Sequence, residues 1–158
     1  MTDDWQRRVD AVWAADLPDD VLLAEVSALA EELDDGDARR WFELAGAHDS
    51  TGHEVEAAAH YERALSLGLG PEQHAQATVQ YASTLRNLGR PDAAIELLER
   101  LPRLSPVGTA RDAFLALALR DVGRSDEALR VLLDALVPTL PRYQRSVTAY
   151  AAMLTESE

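Results

Sequence analysis

The chain has 158 residues, a formal charge of −13, fifteen arginines with no lysine, and no cysteine. That length suits one compact domain, and the missing cysteines exclude a disulfide framework and thiolate metal sites, so a cytoplasmic setting is expected. The strong negative charge disfavours nucleic acid, whose phosphates it repels.

The elements read as helices throughout, with no stretch alternating at the strand period. The opening MTDDWQRRVDAVW places acids before its arginines and has no long apolar run, so it reads as neither a leader nor a membrane span. A helix is expected near 4–15, with Trp5, Val9, Val12 and Trp13 on one stripe, and a second near 19–33, with Val21, Leu22, Val26, Leu29 and Leu33. This leading segment, Met1 to Asp37, holds twelve acids against Arg7 and Arg8. Its balance of −10 leaves −3 for the rest of the chain. Further helices are expected near 37–50, 53–67, 72–88, 91–103, 107–122 and 125–137, with a last one near 141–155. Their ends are punctuated by Gly36, Gly52, Gly68, Gly89, Pro106, Gly123 and the Pro138/Pro141 pair. Asp35 or Asp37 of the DDGD run suits an N-cap better than a calcium loop, because its acids do not alternate.

RNLGRPDAAIELLERL, from Arg86, returns thirty-four residues later as RDVGRSDEALRVLLDAL, from Arg120. Three units carry this pattern. In 38–71 it falls on Trp41, Leu44, Ala45, Gly52, Ala57, Tyr61 and Ala64. In 75–108 it falls on Tyr81, Ala82, Leu85, Gly89, Ala94, Leu98 and Pro106, and in 109–142 on Leu115, Ala116, Leu119, Gly123, Ala128, Leu132 and Ala135. Small residues recur where helix axes cross at about 8 to 10 Å. Enlarging Ala57, Ala94 or Ala128 is expected to cost about 1 to 3 kcal/mol. The glycines stand where the first helix of each pair must end and reverse.

Helix pairs at this period with these residues resemble the tetratricopeptide repeat family. STLRNLG (Ser83 to Gly89) and PRYQRS (Pro141 to Ser146) are similar to a group of short bacterial proteins within it. Thr78 and Asp112 depart from the pattern by standing where an aromatic is expected. The resemblance implies an all-α chain, a right-handed α-solenoid of antiparallel helix pairs forming one domain over 1–158. Three repeats, 38–71, 75–108 and 109–142, would follow an N-terminal helix pair over 1–37 and carry a capping helix over 141–155.

The resemblance also implies a concave binding surface made by the first helix of each pair. Carried over by position, that surface holds Phe42, Glu43, Gly46 and Asp49 from the first unit and Val79, Gln80, Ser83, Arg86 and Asn87 from the second. From the third come Ala113, Phe114, Leu117, Arg120 and Asp121. Such a surface suits a peptide or helical segment of another protein, with Arg86 and Arg120 either meeting an acidic group or neutralising their own helix ends. Members that grip the C-terminal carboxylates of heat-shock chaperones use lysine, asparagine, asparagine, lysine and arginine at five groove positions. Here those positions are Phe42, Gly46, Gln80, Ala110 and Phe114, so that clamp is absent.

His53, Glu56 and His60 share a helix face but form no H-E-x-x-H motif, and no nucleophile or phosphate-loop signature occurs. The expectation is a non-catalytic adaptor with no metal or cofactor. The alternatives are a weakly self-associating scaffold joined through its unevenly charged ends, and an enzyme with an unrecognised pocket.

Overall fold

In the computed structural model, which describes residues 4–156, the chain is entirely helical. Nine α-helices follow one another: α1 (Asp4–Ala14), α2 (Asp19–Glu31), α3 (Ala38–Ser50), α4 (Glu54–Leu67), α5 (Pro71–Asn87), α6 (Pro91–Arg100), α7 (Ala110–Asp121), α8 (Ser125–Leu136) and α9 (Gln144–Met153). A short 3-10 turn, Val137–Thr139, links the last two. Residues 1–3 of the expected N-terminal pair, and residues 157 and 158 of the expected domain, lie outside the described residues. Among the described residues, no helix is long and apolar enough to cross a membrane.

Each helix packs on its neighbours in sequence, and among the described residues the backbones of α3, α5 and α7 also approach one another at the next-but-one level. The even-numbered helices α4, α6 and α8 make no such contact with one another. Inner helices that meet and outer helices that do not give a curved stack, an α-solenoid with α3, α5 and α7 on its concave side.

Small side chains make the close packing possible. Ala45, Ala57, Ala64, Ala82, Ala94 and Ala118 are fully buried, and larger residues fill the space around them. Tyr61 anchors the core between α3, α4 and α5, while Leu85, Leu98, Leu115 and Leu119 anchor the one further along. Tyr81 packs against both, so the stack has a continuous interior. At the N-terminal end, Trp5, Val9 and Leu29 form a third cluster. The pairs α3/α4, α5/α6 and α7/α8 turn by the same bond, in which an amide donates to the carbonyl five residues back: His53 to His48, Arg90 to Leu85 and Arg124 to Leu119, at 2.8, 2.8 and 2.9 Å. Gly89 precedes the donor in the middle turn with φ 72°, a left-handed conformation that a Cβ disfavours.

Several helix ends fall short of the periodicity. Pro102 stops α6 at Arg100, because the residue before a proline is pushed into the extended region, and Leu101 takes ψ 125°. The turns that follow delay α7 to Ala110. Helix α9 starts at Gln144 because Tyr143 has φ 69°. On α9 only Ala151 is fully buried, and Tyr150, with Tyr143 just before the helix, is largely exposed at 69% and 76% respectively. Asp37 caps α3 by accepting the Arg39 amide at 3.0 Å.

Where an aromatic was expected on α7, Asp112 is buried in an ion pair with Arg111 at 2.6 Å. The Arg111 Nε donates to the carbonyls of Leu98 and Leu101, at 3.0 and 3.2 Å. A guanidinium thus closes the C-terminal end of α6, and Asp112 neutralises it.

Candidate peptide-binding groove

The concave side contains a groove of about 910 Å³ bounded by α1, α3, the α4 residue Tyr61 and α5. Phe42, Glu43, Gly46, Asp49 and Ser50 come from α3, and Gln73, Gln76 and Gln80 from α5. Helix α1 contributes Gln6, Asp10 and Trp13.

Trp13 joins α1 to α3. Its indole Nε1 donates to Glu43 Oε2 at 2.7 Å, and its ring lies on Gly46, where an added Cβ would come within 3.3 Å of Cζ2. A Cβ there would press the ring back by a few tenths of an ångström, so glycine lets the two helices approach closely. Glu43, 5% exposed, lies at the bottom of this contact. Burial pushes its carboxyl above the ordinary range and nearby Asp10 adds to this, while hydrogen bonds from Trp13 and Gln6 oppose it.

Further along α3, the half-buried Asp49 accepts the Thr84 hydroxyl at 3.0 Å, tying α3 to α5. Burial raises its carboxyl too, against the hydrogen bonds from Thr84 and Tyr61. The Tyr61 hydroxyl also lies 3.4 Å from Gln80 Oε1, and its phenol is raised by burial and by the neighbouring Asp49 charge. Gln73, Gln76 and Gln80 line one side of α5, with Gln76 and Gln80 exposed.

Of the residues placed on the concave surface from the sequence, Phe42, Glu43, Asp49 and Gln80 line this groove together, with Gly46 beneath Trp13. The others lie beyond it. Arg86 donates to Asp121 through Nε at 2.7 Å, and Asn87 donates to Glu54 at 2.9 Å. Arg120 reaches Asp121 only at 3.7 Å and is otherwise exposed. Ser83 and Phe114 are partly buried, Leu117 is 43% exposed, Ala113 is exposed and Val79 is in the core. Periodicity missed the α1 wall and two of the three glutamines. The available signal was the i, i+4, i+7 spacing of Gln6, Asp10 and Trp13, a second stripe on the amphipathic leading helix.

Histidines 48, 53 and 60 meet between α3 and α4, with ring centroids 5.9 Å apart for His48 and His53 and 4.9 Å for His48 and His60. Among the described residues no three His, Asp or Glu side chains are arranged to hold a metal. Burial and the proximity of His48 lower the basicity of His60.

Stacked helix pairs with one recurrent turn and a concave inner face define a helical-repeat solenoid. The chain belongs to the tetratrico peptide repeat family, whose model matches residues 38–154. Its fold is similar to that in the crystal structure of MamA protein, with a TM-score of 0.68 and 20% sequence identity over 84% of this chain and 69% of that one. No curated protein matches the chain.

Proposed function

We propose that this protein is a non-catalytic interaction module that takes a peptide or helical segment of another protein in its concave groove. The observation that carries this reading is the groove itself: about 910 Å³, open, with apolar walls from Trp13 and Phe42 and polar side chains converging from α1, α3 and α5. Membership of a repeat family built as an interaction scaffold supports it. Phe42, Asp49 and Gln80 contact the bound segment, and Ser83, Phe114, Leu117 and Arg120 extend the surface towards α7. Glu43 acts from below by holding Trp13 in place.

A photo-crosslinking amino acid placed at Gln76 in the groove, and separately at Glu62 on the outer helix α4, tests the proposal in lysate of the native host. The reading expects a discrete cross-linked protein from position 76 and none from position 62. The same products from both positions, or products from position 62 alone, overturn it.

A further inference from the structure

The cavities, the histidine cluster, the exposed leucines of α8 and the buried Arg111–Asp112 pair differ in what they imply about a ligand, and the groove implies most. Among the described residues, four carboxylates line it, those of Asp10, Glu43, Asp49 and Glu72, against a single arginine, Arg39. That arginine is held by Asp37, with Nη2 to Oδ2 at 2.6 Å and Nε to Oδ1 at 3.1 Å. Glu43 and Asp49 accept hydrogen bonds from neutral donors, the Trp13 indole and the Thr84 hydroxyl. Among the described residues no cation forms an ion pair with either of them. Arg86, which could have attracted an acidic ligand, is outside the groove and paired with Asp121.

The glutamines add shape to this charge. Gln73, Gln76 and Gln80 span seven residues of α5, about 10.5 Å at the helical rise of about 1.5 Å per residue. An extended peptide covers that distance in about three residues. Each side-chain amide both donates and accepts, as the backbone of an extended peptide requires. The face of Trp13 beside the carboxylates suits the stem or head of a cationic side chain.

We infer that the occupant of the groove is an extended peptide segment carrying lysine or arginine, whose backbone runs along the α5 glutamines and whose cation sits among Asp10, Asp49 and Glu72. This rests on the groove being the binding site, and it reverses the acidic ligand that the arginines of the sequence suggested.

The test is panning of a phage-displayed random twelve-residue library on the full chain, with enriched peptides synthesised and their affinity measured by fluorescence anisotropy. Two folded variants, checked by circular dichroism, serve as controls: Asp10→Lys with Glu72→Lys, which reverses exposed charge, and Gln76→Trp, which fills the groove. The expected result is a lysine- and arginine-rich set whose affinity falls at least about tenfold in the charge-reversed variant and is lost in Gln76→Trp. Acidic or uncharged peptides lost in Gln76→Trp, or peptides of any composition that the charge-reversed variant holds equally well, overturn the cationic ligand while leaving the groove as the site. Peptides indifferent to Gln76→Trp, or no enrichment at all, overturn both readings.

Discussion

Arg86 and Asp121, thirty-five residues apart, meet at 2.7 Å with side chains only 18% and 26% exposed. Asp49 and Thr84 are also thirty-five apart, and Glu54 and Asn87 thirty-three. Polar ties one repeat apart therefore run along the stack, and they use the residues that a sequence reading assigns to ligand. A double-mutant cycle with Arg86→Ala and Asp121→Ala, followed by urea denaturation, should give a coupling energy of about 1 kcal/mol, at the upper end for exposed pairs because this one is partly shielded.

Glu43 should make stability depend on pH in the direction opposite to an ordinary paired carboxylate. Its folded pKa is raised above the ordinary value of 4.5, so the native state holds the proton more tightly than the unfolded chain does. That contribution is fully present below about 4.5 and is lost as pH rises through the raised folded value. Glu43→Gln keeps an acceptor for the Trp13 indole and removes the charge. Melting temperatures of the two proteins from pH 4.5 to 7.5 should diverge in favour of the variant as pH rises, and parallel curves would show that the carboxyl is not raised.

The buried pair of Arg111 and Asp112 should be costly to break, and an apolar replacement should recover only part of the loss. Asp112→Ala leaves a guanidinium buried with two carbonyls and no counter-charge, a loss of about 3 to 5 kcal/mol. The double variant Arg111→Met, Asp112→Leu removes the uncompensated charge but leaves the Leu98 and Leu101 carbonyls without their guanidinium donor, so it should recover only part of that loss. Chemical denaturation of the three proteins checks both statements.

Tyr143 holds a left-handed backbone that a bulky L-residue adopts at a cost, and its ring is 76% exposed, so little packing offsets that cost. Tyr143→Gly should stabilise the protein by about 0.5 to 1 kcal/mol after allowing for the added freedom of the unfolded chain. Thermal unfolding followed by circular dichroism reads this as a higher midpoint.

The helices and their pairing were legible in the sequence, because each depends on local properties that repeat, and the resemblance to the repeat family pointed to the inner helices. Glycines recur where a helix must reverse, alanines where axes cross, and apolar residues at the helical period. A period reveals which positions are alike but not which side chains meet across the stack. That Trp13 lies on Gly46 and walls the groove, that Glu43 is buried beneath it, and that Arg86 is taken by Asp121 follow from how α1 leans on the array and how far each repeat is displaced from the last. Displacements of a few ångströms decide whether a charged group faces solvent or a partner, because ion pairs and hydrogen bonds act over about 3 to 4 Å. The sequence by itself determined the helices and their repeat, and the tertiary structure alone decided which charges of the concave face are taken up by partners within the chain.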